Sequence, residues 1–128
     1  MIRTICFLFI SCSIFSQNID VNNIEILRDS YGVPHIYAKT DAELAYGLAW
    51  SHSEDDFKTI QEAYLAGNGL LSKHMGLRGA PADFLTQLIR SDYIVDSLYQ
   101  TLDKNFIKVI EGYAKGINRF AELNPDQI

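Results

Sequence analysis

Residues Ile24 to Lys39 read I-E-I-L-R-D-S-Y-G-V-P-H-I-Y-A-K, and this stretch decides how the chain begins to fold. Two runs of β-forming or small apolar residues flank a break that contains aspartate, serine and glycine, which are turn formers. We therefore predict a β-hairpin or bent strand pair, around which the rest of the chain forms helices. Pro34 has no backbone N–H to donate, so it is expected at the start or edge of the second strand.

The size and charge of the chain set its broad class. It has 128 residues, of which 48% are hydrophobic, enough for one buried core and at most one domain. Lysine and arginine number 11 against 16 aspartate and glutamate residues; removal of a leader containing Arg3 leaves 10 against 16, a net charge of −6. This acidic balance argues against nucleic acid as a partner.

Residues 1–16 have the pattern of a secretory signal peptide. Arg3 is followed by an apolar run from Ile5 to Ile10 and then by small and polar residues, so we predict cleavage near Ser16 and a periplasmic or secreted product. The apolar run is far shorter than the roughly 20 residues that span a bilayer, so the mature chain is predicted to have no transmembrane segment. A lipoprotein anchored through Cys12 is the less favoured alternative.

Both cysteines, Cys6 and Cys12, lie in that leader, so the mature chain would contain none. Its stability then cannot depend on disulfides, and a cysteine nucleophile or zinc–cysteine cluster is excluded from this segment. Residues 17–23 are polar and turn-prone and are predicted to form an exposed lead. Residues 24–128 are predicted to form a single segment with no internal linker.

A long helix is predicted after the strand pair. Thr40 and Glu43 fit a capping box, in which each side chain accepts from the other's backbone N–H, so the helix should begin at Asp41. It should end near Gly67-Asn68-Gly69, where a glycine can take the left-handed conformation. Gly47 and its small neighbours should let this helix approach another element closely. One face repeats at helical steps and is predicted to be core; its members are Tyr46, Trp50, Ser53, Phe57, Ile60 and Tyr64.

Two further helical regions precede the last helix. A short turn from Leu70 to Met75 should close at Gly76, and residues 76–81 are predicted to be a loop because they contain two glycines and a proline. The second region runs from about residue 82 to 102, with a break expected at Ser91-Asp92.

The last predicted helix has apolar residues at steps of four and three from Phe106 to Phe120, and it should end at Asn124-Pro125. Gly112 and Gly116 lie four residues apart and therefore on one side of this helix. That spacing predicts a tight crossing with another helix and not membrane dimerisation.

The polar groups give no sign of a metal or catalytic site. None of His35, His52 and His74 belongs to a metal motif such as H-E-x-x-H or has a second histidine at helical spacing, so structural roles are favoured for all three. Successive residues of the run Glu54-Asp55-Asp56 point about 100° apart on a helix, so we expect a solvated face and no cation site. No G-x-S-x-G motif occurs, and no serine follows a glycine.

Four strings in the sequence carry a resemblance to a known family. They are R-D-S-Y-G-V-P-H-I-Y-A-K (residues 28–39), D-A-E-L-A-Y-G-L-A-W-S-H-S-E-D-D (41–56), G-N-G-L-L-S-K-H-M-G (67–76) and E-G-Y-A-K-G-I-N-R-F (111–120). In this order and spacing they resemble the start of the mature α-chain of the penicillin acylase family, which are N-terminal nucleophile hydrolases. The resemblance runs from Ile24 to the end. It implies an α+β class: a fragment of an αββα sandwich, here one strand pair followed by mostly α-helices.

The resemblance also implies that the chemistry lies outside this segment. In the family, the nucleophile is the first residue of the β-chain, freed when the precursor cuts itself, and its own α-amino group serves as the base. The oxyanion-hole donors and the acyl-pocket residues likewise lie beyond Ile128, so no catalytic residue, substrate-binding residue or metal ligand is assigned. No cofactor is assigned to this segment, although family members can hold a structural calcium ion elsewhere.

The implied function is that of an N-terminal scaffold segment of an exported amidohydrolase, inactive without its β-chain. The substrates would be small-molecule N-acyl amides, either β-lactam side chains or acyl-homoserine lactones, and the protein partner would be the remainder of the same precursor. Ser53-Glu54-Asp55-Asp56 replaces the A-Q-D-R common in antibiotic-hydrolysing members, and the missing arginine favours the acyl-homoserine-lactone and aculeacin acylase branch. The alternative is a stand-alone secreted helical binding module without catalytic activity.

Overall fold

The structure, a computed structural model, describes residues 19–128, so the predicted signal peptide with Cys6 and Cys12 lies outside the described residues. Within that range one antiparallel strand pair precedes a series of helices, which confirms the predicted class. The strands are β1 (Glu25–Arg28) and β2 (Pro34–Tyr37), and the helices are α1 (Asp41–Gly67), α2 (Leu71–Met75), α3 (Ala80–Ile89), α4 (Ser91–Leu98) and α5 (Lys104–Leu123). Short 3-10 turns occupy Val21–Asn23, Gly76–Arg78, Tyr99–Thr101 and Pro125–Gln127. No helix in residues 19–128 has the length and apolar character needed to cross a membrane.

The strand pair is the predicted hairpin. Ile26 lies opposite Ile36, and Pro34 is the first residue of β2, opposite Arg28. This position is the one expected for proline, because the start of a strand does not require its missing N–H. The apolar side chains of both strands can therefore face one helix, while the ladder keeps its register.

An aspartate closes the hairpin turn. The Asp29 carboxylate accepts hydrogen bonds from the backbone N–H groups of Tyr31 (2.8 Å) and Val33 (3.0 Å), and Gly32 takes a φ of +83°. The two N–H donors, Val33 first, and a weaker contribution from His35 lower the pKa of Asp29. The turn is thus held by a charged side chain that binds its own backbone, the local bonding for which aspartate is favoured in turns.

The helix α1 begins at Asp41 with the predicted capping box. The Thr40 hydroxyl accepts from the Glu43 N–H at 3.3 Å, and the Glu43 carboxylate accepts from the Thr40 N–H at 3.1 Å. The Asn23 side-chain amide also donates to Glu43, at 3.0 Å. Asn23 is the largest cause of the lowered pKa of Glu43, followed by bonds from Thr40. The segment before β1 is therefore tied to the start of α1.

Asp56 interrupts α1 with φ −158° and ψ 71°. Its carboxylate accepts from the backbone N–H (3.1 Å) and hydroxyl (2.6 Å) of Thr59, so it caps the second half of the helix. The core face predicted from Tyr46 to Tyr64 continues past the break as far as Phe57, but it is wrong at Tyr64. Phe57 is 6% exposed, whereas Tyr64, near the end of the helix, is 68% exposed.

The end of α1 is as predicted. The helix stops at Gly67, and Gly69 takes a φ of +64°. The N–H of Gly69 donates to the carbonyl of Ala66 (3.1 Å), and the N–H of Leu70 donates to the carbonyl of Leu65 (2.8 Å). These two bonds form a Schellman motif, which satisfies carbonyl groups that the helix itself leaves free.

Residues 76–81 are not the predicted loop. Gly76, with φ +61°, closes α2 as expected, but a 3-10 turn follows at Gly76–Arg78 and α3 already begins at Ala80. Pro81 lies in the first turn of α3, where its missing N–H has no intrahelical acceptor to lose. The glycines and the proline of this stretch indicated a loop. Proline is also favoured at helix starts, and the sequence did not distinguish the two cases.

The predicted break in the next helical region is present, one residue earlier than expected. Arg90 separates α3 from α4 with a φ of +52°, whereas the break was predicted at Ser91-Asp92. A left-handed conformation costs a residue with a Cβ about 1–2 kcal/mol. The Arg90 guanidinium lies 4.5 Å from the centre of the Tyr93 ring, and this cation–π contact offsets part of the cost.

The helices α1 and α5 cross with their backbones in contact, as the glycine spacing predicted. A Cβ built on Gly112 would collide with the carbonyl of Ala42. One built on Gly116 would lie 2.5 Å from the carbonyl oxygen of Tyr46 and 2.7 Å from the Cβ of Ala49. Because protein interiors are close-packed, neither position can accept a larger residue without moving a helix.

The hairpin covers another side of α1 by the same device. A Cβ on Gly47 would lie 2.8 Å from the Ile36 side chain and 3.0 Å from that of Ile24. The predicted close approach of α1 is thus used twice, against a strand pair and against a helix. The buried apolar residues of the described chain lie around these two contacts and are Ala42, Ala45, Tyr46, Ala49, Phe57 and Phe120.

Replacement of Gly116 by alanine should destabilise the protein by about 1–3 kcal/mol, because the added methyl group overpacks the crossing of α1 and α5. Gly67→Ala is the matched control: this glycine is also helical, but a Cβ added there would have no atom within 4 Å. It should leave the free energy of unfolding unchanged or raise it by about 0.5–1 kcal/mol. Urea unfolding followed by circular dichroism measures both changes, and equal midpoints for the two variants would contradict the crossing.

Candidate functional site

The three histidines lie on separate elements and do not form a site together. His35 on β2 approaches the Asp29 carboxylate (3.3 Å), and His52 on α1 approaches the Tyr113 hydroxyl (3.0 Å). His74 lies on the short α2. Within residues 19–128, no group of three or more histidine, cysteine, aspartate or glutamate side chains is placed to hold a metal ion.

Arg28 is the centre of a cluster of four polar contacts. Its guanidinium donates to the Gly32 carbonyl (2.8 Å) and the Ser51 carbonyl (3.4 Å), and it forms ion pairs with Glu54 (3.1 Å) and Asp55 (2.9 Å). Glu54 first, and then Asp55, raise the pKa of Arg28 further. The forked donor set of arginine suits this arrangement, because a single ammonium group cannot serve four acceptors. The cluster clips the hairpin turn onto α1.

The acidic run therefore differs from the expected solvated face. Glu54 and Asp55 keep 41% and 55% of their side chains exposed, as expected, but they converge on Arg28. The third residue, Asp56, leaves the helix and caps its second half. The prediction assumed three consecutive residues of one regular helix, and the break at Asp56 removes that assumption.

The Arg28 cluster continues into the aromatic core. The Trp50 indole N–H donates to Glu54 at 2.8 Å, and its ring meets Phe120 edge-on with centroids 5.4 Å apart. The ring of Phe57 lies 5.1 Å from the same Phe120. One chain of contacts thus joins the hairpin turn, both sides of the α1 break and the end of α5.

A buried carboxylate that no sequence motif marked, Asp83, joins α2 to α3. Asp83 is 5% exposed and accepts from the backbone N–H groups of Leu71 and Ser72, each at 2.8 Å. Bonds from Ser72, side chain first, and from Leu71 lower the pKa of Asp83. A Cβ on Gly79 would lie 2.6 Å from this same stretch of backbone. The Asp83 side chain therefore caps the start of α2. Because it lies 12 and 11 residues along the chain from the groups that it binds, no local sequence motif indicates the contact.

Residues 19–128 present at least two concave surfaces. A groove of about 770 Å³ lies between the end of α1 and the helices α3 and α4, and its lining includes Tyr64, Thr86 and Ser91. A smaller apolar pocket of about 290 Å³ lies between Trp50 and Arg119. Neither lining brings a serine or threonine together with a histidine or lysine base. The absence of a catalytic group from this segment stays a prediction.

Large apolar side chains are exposed on α3 and α4. Phe84 is 67% exposed, Leu88 65%, and Val95 58%. No residue of α4 is buried, and Asp83 is the buried residue of α3. Exposed apolar patches of this kind mark surfaces that bind another protein surface or aggregate.

Comparison with known proteins identifies what this chain is similar to. The family model for penicillin amidase matches residues 23–127. The chain is 25% identical over 121 residues to an acyl-homoserine lactone acylase PvdQ from Pseudomonas fluorescens, a match that covers 88% of this chain and 15% of that protein. It is 27% identical over 113 residues to a penicillin G acylase from Escherichia coli, covering 84% of this chain and 13% of that protein.

The fold has a counterpart among solved structures. A thermostable penicillin G acylase from Alcaligenes faecalis matches with a TM-score of 0.71 and 23% identity, covering 80% of this chain and 55% of that chain. This likeness supports the predicted fold class. The chain spans only 13–15% of the length of the curated relatives above.

Removal of the Arg28 side chain should loosen the hairpin. In Arg28→Ala, two carbonyl groups lose one donor each, and Glu54 and Asp55 lose their ion pair with Arg28, so the amides of β1 and β2 should exchange with solvent faster. Arg28→Lys should restore the charge but only part of the protection. Arg78→Ala, at an exposed arginine on a 3-10 turn, is the control. Hydrogen-exchange mass spectrometry measures the effect, and unchanged exchange in Arg28→Ala would contradict the clip.

The Asp83 contact should make stability depend on pH in the acid range. Its pKa is lowered below the ordinary 3.8, so the stabilisation is complete above that value and is lost as the pH falls through the lower pKa of the folded state. Asp83→Asn should therefore be less stable than the unmodified protein at pH 7, and the difference should shrink below pH 3.8. Unfolding in urea across this range measures it, with the exposed Asp126→Asn as control. A difference independent of pH would contradict a charged Asp83.

Proposed function

Because the chain belongs to the penicillin amidase family, we propose that it is the N-terminal scaffold segment of an exported amidohydrolase that cleaves N-acyl amide bonds. The observation that carries this proposal is the family match over residues 23–127 in a chain that spans 13–15% of its relatives. A segment of that length supplies part of the fold. The remainder, including a β-chain, would supply the reactive groups, so this segment is inactive without it.

The proposed reaction is the attack of an N-terminal nucleophile on the amide carbonyl. The family resemblance implies a serine, threonine or cysteine at the start of the β-chain, freed by self-cleavage of the precursor. Its α-amino group would accept the proton, and an ordinary pKa of about 7.7–8.0 suits that role near neutral pH. Hydrogen-bond donors of the β-chain would hold the tetrahedral oxyanion.

The residues of this chain would position elements and take no part in the reaction. The Arg28 cluster fixes the hairpin to α1, and the glycines of α5 fix that helix to the other side. The result is a strand pair held at a defined place on a helical frame, to which further elements of a sandwich can add. A structural calcium ion in the full-length protein is part of the proposal, and no ligand for it is assigned among residues 19–128.

The substrate class follows from the relatives. Proteins named acyl-homoserine lactone acylase and penicillin G acylase both match this chain, so the substrate is proposed to be one of these N-acyl amides. The presence of Asp56 where antibiotic-hydrolysing members have an arginine gives little support to either acylase branch. The Asp56 carboxylate accepts from Thr59 and so caps the second half of α1. A local structural role explains that residue without reference to substrate. The acyl-homoserine lactone branch remains favoured, because proteins named acyl-homoserine lactone acylase from four Pseudomonas strains match this chain.

The proposal places the mature protein outside the cytoplasm. Residues 1–16 have the pattern of a signal peptide, and residues 17–128, which follow the proposed cleavage site near Ser16, contain no cysteine. This segment could therefore fold in the oxidising periplasm or the medium without forming disulfides of its own.

The test is to express the complete reading frame that contains these residues. We expect a Gly-Ser, Gly-Thr or Gly-Cys junction downstream, cleavage into two chains, and release of free homoserine lactone or 6-aminopenicillanic acid from the acylated compounds. Alanine at the first residue of the second chain should abolish both cleavage and hydrolysis. Residues 17–128 expressed alone should hydrolyse neither substrate.

The stand-alone binding module predicts the opposite outcome. A reading frame that stops after Ile128 and yields a monomer with a cooperative thermal unfolding transition would favour that module and overturn the scaffold proposal. Amide hydrolysis by residues 17–128 alone would overturn it as well.

A further inference from the structure

The sequence contains one Asn-Gly pair, Asn68-Gly69, and it lies at the end of α1. Asparagine is thermolabile, because the backbone nitrogen of the next residue can attack the side-chain amide and form a five-membered imide. Glycine obstructs this attack least, since it has no Cβ and its backbone reaches conformations that other residues rarely adopt. The other asparagines of residues 19–128 are followed by residues with larger side chains; they are Asn22, Asn23, Asn105, Asn118 and Asn124.

The fold places this pair outside the regular part of the helix. Asn68 is exposed and follows the last residue of α1 with φ −95° and ψ 4°. Two hydrogen bonds hold the pair: the Gly69 N–H donates to the Ala66 carbonyl (3.1 Å), and the Asn68 side-chain amide donates to the Tyr64 carbonyl (2.8 Å). Both bonds belong to the last turn of α1, and helix ends fray more easily than helix interiors. Opening of this one turn therefore frees both reacting groups.

We propose that Asn68 is a deamidation site of this protein, where the side-chain amide is converted to aspartate and isoaspartate. When the last turn of α1 opens, the Gly69 nitrogen forms a bond to the side-chain carbonyl carbon of Asn68. The bond from that carbon to the side-chain nitrogen breaks, and ammonia leaves with the proton that Gly69 loses. Water then opens the imide: attack at the side-chain carbon gives aspartate, and attack at the backbone carbon gives isoaspartate.

The product changes the surroundings of the helix end. A carboxylate at position 68 cannot donate to the Tyr64 carbonyl as the amide does. Its negative charge lies at the C-terminal end of α1, where the helix dipole disfavours it. Asn68 also lines the groove that Asp92 and Asp96 line, so the new charge adds to two like charges. Deamidation should therefore loosen the end of α1. This inference is independent of the proposed amide hydrolysis, because both reacting groups belong to Asn68 and Gly69.

The test is to incubate the full-length precursor in heavy-oxygen water at mildly alkaline pH and to map its peptides by mass spectrometry. The Asn68 peptide should gain the mass of an amide-to-acid conversion with one heavy oxygen, and it should contain isoaspartate. Asn124 is the matched control, because it also follows a helix and donates to the carbonyl four residues earlier, Phe120, at 2.8 Å. Pro125 has no N–H and cannot form the imide, so the Asn124 peptide should not change.

A synthetic peptide of residues 61–73 gives the rate of the same chemistry without the fold. Asn68 in the precursor should convert more slowly than in this peptide, because two hydrogen bonds must first open. It should convert several-fold faster than the exposed Asn22. An unchanged Asn68 after complete conversion of the peptide would overturn the inference. Equal rates at Asn68 and Asn22 would overturn it as well, and so would aspartate without isoaspartate, since direct hydrolysis of the side chain yields only aspartate.

Substitutions at the same position separate the reaction from its effect. Asn68→Gln should abolish the mass gain there, because its longer side chain would need a six-membered ring. Asn68→Asp reproduces one product directly and should speed the hydrogen exchange of residues 64–70 in the precursor. Asn68→Ala is the control, since it removes the bond to Tyr64 but adds no charge. Exchange should be faster in Asn68→Asp than in Asn68→Ala, and added salt should reduce the difference. Equal exchange in the two variants would overturn the predicted effect of the charge.

Discussion

The backbone contact between α1 and α5 is the constraint on which the other elements depend. Gly112 and Gly116 let the two helices approach until a single methyl group would not fit between them. This approach fixes the rotation of α1, and the rotation directs Gly47 towards the hairpin. The same crossing brings Phe120 onto Trp50, so the end of α5 closes the aromatic part of the core. Small residues therefore set how the helices are placed against each other, and larger side chains fill the remaining space.

The largest fully buried side chains of α1 are two small hydroxyls, which explains why the helix tolerates close neighbours on two sides. Ser51 and Ser53 are 0% and 1% exposed, and their hydroxyls donate to the carbonyls of Gly47 (3.1 Å) and Ala49 (2.7 Å). These bonds satisfy buried polar groups within one helix, but such bonding also tends to bend a helix. The break at Asp56 follows three residues after Ser53. The Arg28 cluster sits just before it and holds the bent region against the hairpin.

Features with local sequence signals were predictable, and features that depend on distant partners were not. The Thr40 capping box and the Gly69 helix end each involve a few adjacent residues, so their pattern determined their structure. Arg90 takes a conformation for which glycine is the usual signal, and no glycine marks the break. Asp83 binds backbone groups 11 and 12 residues away, and Arg28 binds carboxylates 26 and 27 residues away. Nothing in the spacing of such pairs indicates that the chain brings them together.

Small apolar side chains fill much of the core of the described residues, and many large ones lie on the surface. Half of the buried apolar residues in the described part of the chain are alanines, whereas many of the large aliphatic and aromatic side chains lie exposed, above all on α3 and α4. Complete burial of one large apolar side chain contributes about 1.5–3 kcal/mol, and alanine contributes less. The described residues therefore leave much of their available hydrophobic free energy unrealised. Tight packing at backbone contacts together with large apolar side chains left outside is the distribution expected of the proposed scaffold segment, whose core further structure would complete.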